Sequence, residues 1–216
     1  MAIDQSVVVE RTGQAWIPTR HGVFRAYGYR DTEGLEHIAY VSGDQSDDTT
    51  PDGPPLVRVH SECLTGDVLG SLRCDCGSQL DRALEAIGGE PGGIIAYIRG
   101  HEGRGIGLGQ KLQAYELQDS GLDTVDANHA LGFPADARDY DVAAAILHDL
   151  GFTSVRLLSN NPAKSEGLTC HGIDVTEQVP LPGVTTTENL RYLETKRQRM
   201  AHKLEPSVEV AGGENR

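Results

Sequence analysis

No apolar run in this 216-residue chain approaches the length of about 20 residues that a membrane-spanning helix needs. The opening stretch, MAIDQSVVVERTG, holds acidic side chains and only a short apolar run, so it does not read as a secretory signal. A cytoplasmic location with no membrane partner is the expectation. Basic residues are also scarce: 19 Lys and Arg stand against 32 Asp and Glu, a formal net charge of −13. That balance excludes a general nucleic-acid-binding surface, which needs an excess of cations to displace counterions. It leaves room for one small anionic ligand in a local basic pocket. Cysteine is rare at four residues, and no internal repeat is visible. In a reducing compartment so few thiols read as ligands or catalysts rather than disulfide partners. What is present, 38% hydrophobic and 24% charged residues, describes a soluble globular chain. Its length suits one large domain or two small ones with an ample core.

Three of the four cysteines fall within residues 56–80, LVRVHSECLTGDVLGSLRCDCGSQL. Cys63, Cys74 and Cys76 have the spacing C-x10-C-x-C, and Arg58, His60, Glu62, Asp67 and Arg73 lie among them. Three soft ligands so close together read as a zinc site. Its fourth position is either closed by Cys170, His60 or His171, or open and holding water. Thiol redox chemistry and plain packing are the alternatives. His60-Ser61-Glu62 also matches the H-x-E half of zinc nucleobase deaminases. Their P-C-x-x-C half is missing, since a single residue separates Cys74 from Cys76.

The chain before residue 56 is β-rich. Short β-branched or aromatic runs at 7–10, 16–17, 22–29 and 37–42 are separated by turn formers, which predicts an antiparallel sheet or small barrel. The acidic segment GDQSDDTTPDGPP reads as an exposed loop. Beyond it, Leu80, Ala83, Leu84 and Ile87 recur at helical spacing up to Gly88-Gly89. Residues 93–98 form an apolar run that fits a buried strand, and LQAYELQD fits a second helix. Residues 121–138, rich in Asp, Asn and Gly, read as a long loop. A helix capped by Asp139 or Asp141 and ended by Gly151 follows. Then come a strand at 154–158, a helix restarting at Asn161-Pro162, a strand at 175–179 and a last helix over 188–204. The expected fold class is α/β with α+β character: an N-terminal antiparallel β region, then an α/β layer.

Three further segments offer polar groups. GHEGRGIGLG lies between a predicted strand and a predicted helix, where backbone N–H groups can face a phosphate. It is neither a Walker A sequence nor a dinucleotide fingerprint, but it contains Arg104. PADARD supplies Asp136 and Arg138, and on spacing alone such a pair is usually a minor surface ion pair. SNNPAK sets Ser159 and Lys164 at the edge of the presumed parallel sheet, where α/β proteins bind ligands.

Taken together these blocks resemble GTP cyclohydrolase II. The matching stretches are VRVHSECLTGDVLGSLRCDCGSQL, RGHEGRGIGL, LQAYELQDSGLDTVDANHALGFPADARDY, LLSNNPAK and EQVPLPG, covering roughly 57–204, with a weaker match in the N-terminal strands. The resemblance implies one catalytic domain over 1–204, divided into a β-rich part (1–56), a zinc- and nucleotide-binding part (57–187) and a C-terminal helix (188–204), with a flexible tail at 205–216. It implies a stand-alone form without a fused synthase domain. It further implies one Zn²⁺ per subunit on Cys63, Cys74 and Cys76, Mg²⁺ with the triphosphate, and a homodimer. GTP contacts map onto Arg58, Val59, His60, Ser61, Glu62, Gln79, Glu102, Gly103, Arg104, Thr124, Ser159 and Lys164. Ser159 stands where the family usually has Thr, and the hydroxyl survives. Asp136 matches the general base, Arg138 the nucleophile toward the α-phosphate, and Tyr115 an aromatic hydroxyl near the purine. The implied reaction opens the imidazole ring of GTP, giving a diaminopyrimidine ribosyl phosphate, formate and pyrophosphate at the entry to riboflavin synthesis. Two variants of the reading are a paralogue that retains the formyl group and a non-catalytic nucleotide sensor.

Overall fold

The computed structural model describes residues 9–43 and 53–199. The expected acidic loop, apart from 43 and 53–55, and the expected tail lie outside the described residues. The strands are β1 (Glu10–Thr19), β2 (Gly22–Arg30), β3 (Glu36–Ser42), β4 (Leu56–Ser61), β5 (Ile94–Ile98), β6 (Ser154–Leu158) and β7 (Asp174–Val179). The helices are α1 (Leu64–Asp67), α2 (Cys76–Gly88), α3 (Leu108–Asp119), α4 (Thr124–Ala130), α5 (Asp141–Asp149), α6 (Pro162–Cys170) and α7 (Leu190–Arg199), with a 3-10 turn at Glu102–Arg104. No helix among the described residues is long and apolar enough to cross a membrane.

The chain forms two compact units. The first comprises residues 1–61, 82–99 and 139–180, and holds every strand among the described residues. In β4 the residues LVRVH are all buried, the signature of a central strand covered on both faces. The sheet order is β1-β2-β3-β5-β4-β6-β7. β1, β2, β3 and β5 pair antiparallel, and β5, β4, β6 and β7 pair parallel. The N-terminal strands are therefore no separate sheet or barrel. β3 adds to β5 through Ile38–Tyr97, Ala39–Ala96, Tyr40–Ile95 and Val41–Ile94, so one mixed sheet carries both expected regions. Side chains alternate across it. Val57, Val59, Ile94, Ala96 and Ile98 join Ala143, Ile146 and Leu147 of α5 in the core. The α5 start differs slightly from expectation: Tyr140 is the N-cap, and Asp139 Oδ1 accepts from the backbone N–H groups of Tyr140 and Asp141. Gly151 follows the helix at φ 90°, as expected. Asn161 caps α6 by accepting from Ala163 N at 3.1 Å, with Pro162 as the first helical residue.

The second unit comprises residues 62–81, 100–138 and 181–216. Its described residues form helices and turns and no strand. The expected long loop at 121–138 contains α4. Asp123 starts it by accepting from Val125 N at 2.8 Å and Asp126 N at 2.9 Å, satisfying two of the helix's orphan donors. Arg199 of α7 then pairs with both Asp123 (2.5 Å) and Asp126 (2.9 Å).

Candidate active site

In the second unit the C-x10-C-x-C spacing closes in space. The sulfurs of Cys63, Cys74 and Cys76 lie within 4.8 Å of one another, and Cys63 Sγ is 3.7 Å from Cys74 Sγ. Cys63 precedes α1, and its backbone N–H donates to Asp67 Oδ2 at 2.9 Å, tying the turn. Cys76 begins α2. Glycine makes the convergence possible. A Cβ on Gly66 would sit 2.8 Å from Cys74 Sγ and 3.2 Å from Cys63 Sγ, and one on Gly77 would sit 2.3 Å from Gly66 O. Among the described residues this is the group that brings three ligand atoms together, whereas Cys170 is exposed at the end of α6. Hydrogen bonds from Cys74 and Cys76, helped by the Lys111 charge, hold Cys63 far below the ordinary thiol pKa. Cys74 is pushed up to about 11 by its bond to that sulfur, and Cys76 is raised by the same neighbours.

Beside the thiols lies a buried ion pair. Lys111 Nζ donates to Cys63 Sγ (3.2 Å), Thr65 Oγ1 (2.8 Å) and Glu102 Oε1 (2.5 Å). Glu102 Oε2 accepts from Leu64 N at 2.7 Å. Burial works against the Lys111 ammonium, but Glu102, Tyr115 and Cys63 hold its pKa above the ordinary value. Neither Lys111 nor Thr65 is foreseen from the sequence. The available signal is Lys111 one helical turn before Tyr115 on α3, in a helix whose polar pattern gives it no prominence. Tyr115 is half-buried, its ring 4.6 Å from the Arg73 guanidinium carbon and 5.8 Å from Lys111 Nζ. Arg73 also pairs with Asp119.

The glycine-rich segment makes a tight turn. Gly103, Arg104 and Gly105 have φ of 62°, 65° and 88°, and Arg104 is the one non-glycine with positive φ among the described residues. Its carbonyl accepts from Ala137 N at 3.1 Å and its guanidinium donates to Ala135 O at 3.3 Å, fastening the turn to the PADARD segment. There Arg138 and Asp136 form a fork, Nε to Oδ1 at 2.8 Å and Nη2 to Oδ2 at 2.5 Å. Their side chains are only 12% and 25% exposed, so this is no ordinary surface pair. Burial works to raise the Asp136 pKa, but Arg138 and the charge of Arg104 hold it below the ordinary 3.8. Elsewhere in this unit, Gln79 donates to Asp75 Oδ2 at 2.5 Å, Glu62 Oε2 accepts from Gly100 N at 2.8 Å, and Thr124 is the first residue of α4.

The first unit brings together the candidates at the ends of β4 and β6. These strands pair only at Leu56–Arg156 and Val57–Leu157. Beyond that point, buried cations satisfy their carbonyls: Arg58 Nη1 donates to Leu158 O at 3.0 Å, and Lys164 Nζ donates to Val59 O at 2.7 Å. Lys164 is thus buried at the sheet edge. Ser159 Oγ accepts from Asn161 N at 3.1 Å as the chain turns into α6. His60 is buried and stacks on Tyr97 at 5.4 Å, and Val59 and Ser61 flank it on β4.

The family profile described as GTP cyclohydrolase II matches residues 10–180. The match takes in the N-terminal strands fully and stops short of the C-terminal helix, against the 57–204 span of the sequence resemblance. "Riboflavin biosynthesis protein RibBA" of Salinispora arenicola is 61% identical over 198 residues, 91% of this chain and 46% of that protein. The protein of the same name from Rhodococcus jostii is 60% identical over 197 residues, 91% of this chain and 47% of that one. The chain spans about half the length of these curated relatives. Among solved structures, RibBX of A. baumannii, described as a two-domain 3,4-dihydroxy-2-butanone 4-phosphate synthase, aligns with a TM-score of 0.44 and 25% identity over 80% of this chain and 40% of that one.

Proposed function

The chain belongs to the GTP cyclohydrolase II family, and on that premise we propose that it opens the imidazole ring of GTP, releasing formate and pyrophosphate and leaving a diaminopyrimidine ribosyl phosphate for riboflavin biosynthesis. The relatives' name, riboflavin biosynthesis protein, supports that placement. The observation that carries the reading is that one compact unit holds both the three-thiol group and the Asp136–Arg138 fork.

Cys63, Cys74 and Cys76 fit zinc: the donors are soft, the sulfurs converge, and Gly66 and Gly77 leave the space that convergence needs. These residues would hold one Zn²⁺, which supplies Lewis acidity and makes water a stronger acid at neutral pH. GTP would be taken with Mg²⁺ on its triphosphate. Arg138 is the proposed nucleophile toward the α-phosphorus, with pyrophosphate leaving. A guanidinium is normally protonated and poorly nucleophilic. The Asp136 fork fixes its plane and offers a carboxylate that takes the proton as the P–N bond forms. Asp136, held below its ordinary pKa by Arg138 and Arg104, is ionised at neutral pH.

For the nucleotide, Glu62, Gln79, Glu102, Gly103, Arg104, Thr124 and Tyr115 are the proposed contacts in the second unit. Arg58, Val59, His60, Ser61, Ser159 and Lys164 are those in the first. Arg58, Arg104, Arg138 and Lys164 are the cations through which an acidic chain would hold phosphates. A homodimer belongs to the same reading and is checked by sedimentation. The enzymatic test is incubation with GTP, Mg²⁺ and Zn²⁺, measuring formate, pyrophosphate and product mass together. Equal release of formate and pyrophosphate is expected. Ammonia in place of formate, or no turnover, overturns the proposal, and a product heavier by a formyl group identifies an enzyme that stops after ring opening.

A further inference from the structure

Lys111 has no place in the reaction described above, yet it is among the most completely engaged side chains of the second unit. An ammonium has three donors. Here all three have acceptors: Cys63 Sγ, Thr65 Oγ1 and Glu102 Oε1. A buried lysine needs a counter-charge, and the Glu102 carboxylate supplies it. That pairing does not require a sulfur as a further acceptor. The direction comes from the loop: Glu102 Oε2 takes the backbone N–H of Leu64, the residue after Cys63, so the carboxylate is anchored to the α1 turn and presents its other oxygen toward Lys111. Thr65 Oγ1, 3.8 Å from Cys63 Sγ, fixes the ammonium from the other side. The result is a cation aimed at one thiol of the three.

We propose that Lys111 is a positioning residue of the metal centre. Its ammonium, held by Glu102 and Thr65, donates to the Cys63 sulfur and withdraws charge from it, which raises the acidity of a three-thiolate site. The need is chemical. Three thiolates bring three negative charges to a divalent ion and make it a weaker Lewis acid than the same ion on three neutral imidazoles. One N–H···S bond from a cation reverses part of that donation without changing the ligand set. Glu102 tunes the effect, because a carboxylate sharing the ammonium weakens its bond to sulfur.

This inference rests on the metal reading of Cys63, Cys74 and Cys76, and the experiment separates the two. Co²⁺ is added to the wild-type chain and to the Lys111→Met, Lys111→Arg and Glu102→Gln variants, and the thiolate-to-cobalt charge-transfer band is recorded. Wild-type protein that takes up no Co²⁺ overturns the metal reading itself. With Co²⁺ bound, Lys111→Met shifts the band to longer wavelength, because the sulfur regains donor strength, and Lys111→Arg brings it back toward the wild-type position. Glu102→Gln shifts it the opposite way, because a neutral amide competes less for the ammonium than the carboxylate does. This second variant retains Lys111 and decides the matter if Lys111→Met does not fold. In the Zn²⁺ enzyme, the acid limb of the pH profile for formate release moves to higher pH in Lys111→Met. A band unmoved in Lys111→Met and Glu102→Gln, with metal bound in both, overturns the proposal.

Discussion

Arg138 and Asp136 are joined three times over: by the two prongs of the guanidinium–carboxylate fork at 2.8 and 2.5 Å, and by the Arg138 backbone N–H on Asp136 Oδ1 at 3.1 Å. The pair is two residues apart, so the backbone bond makes a local turn that sets the side-chain plane before any substrate arrives. Arg138→Ala removes the proposed nucleophile, and pyrophosphate release is expected to fall to background. Asp136→Asn keeps part of the fork but cannot take the proton, and a loss of about 10²–10⁴-fold is expected. Pyrophosphate assays on both variants check this, and near-normal rates in Arg138→Ala would rule out the covalent step.

Cys74→Ser separates the metal from the phosphoryl chemistry. The substitution removes one of three sulfurs that lie within 4.8 Å of one another. Bound zinc is expected to fall well below one per chain and formate release to background. Because Arg138 acts at phosphorus, pyrophosphate is expected to outlast formate in this variant. Metal content and both products are measured on one preparation. Undiminished formate would exclude zinc from the ring-opening step.

Much of this molecule is legible in its residues where the cause is local. Asn161-Pro162 names the start of α6, and β6 at Ser154–Leu158 coincides with its apolar run. The cysteine spacing points to a shared site because its ligands need only a short loop to meet. What escapes the sequence depends on distant partners. α4 lies in a stretch whose Asp, Asn and Gly favour turns; its Asp123 cap is local, but the burial of Val125 and Ala127 and the Arg199 clamp depend on residues far along the chain. The joining of β3 to β5 brings together residues far apart in the chain, so no window of periodicity contains it. Lys111 is hidden for a third reason. Its acceptors lie at 63, 65 and 102, and nothing around 111 betrays them.

Gly66 offers a steric test of the thiol cluster. An added methyl would meet Cys74 Sγ at 2.8 Å, Cys76 Cβ at 3.0 Å and Cys63 Sγ at 3.2 Å, so the sulfurs must move apart. Gly66→Ala is expected to lower metal retention sharply and to destabilise the chain by about 1–3 kcal/mol. Gly109→Ala is the control, since nothing lies within 4 Å of its added methyl. A chelator competition on both proteins compares them, and equal metal retention would contradict the crowding.

Acid dependence follows from Asp136. A carboxylate whose folded pKa is depressed adds stability that is fully present above its ordinary value of 3.8 and is lost as pH falls through the lower folded value. Arg138 stays cationic throughout that range, so the loss belongs to the carboxylate. Asp136→Asn, which has no charge to lose, is expected to be less stable than the wild type at pH 7 by about 1–2 kcal/mol. For a chain of this size that corresponds to a fall of roughly 2–8 °C in Tm. The wild-type advantage must then shrink as the pH drops below 3.8. The acidic chain responds to acid through many other carboxylates, but those are common to both proteins and cancel in the difference. Paired melting curves from pH 7 downward measure it. A difference that stays constant through the acid range would mean that Asp136 contributes through shape alone and that its charge is not what holds Arg138.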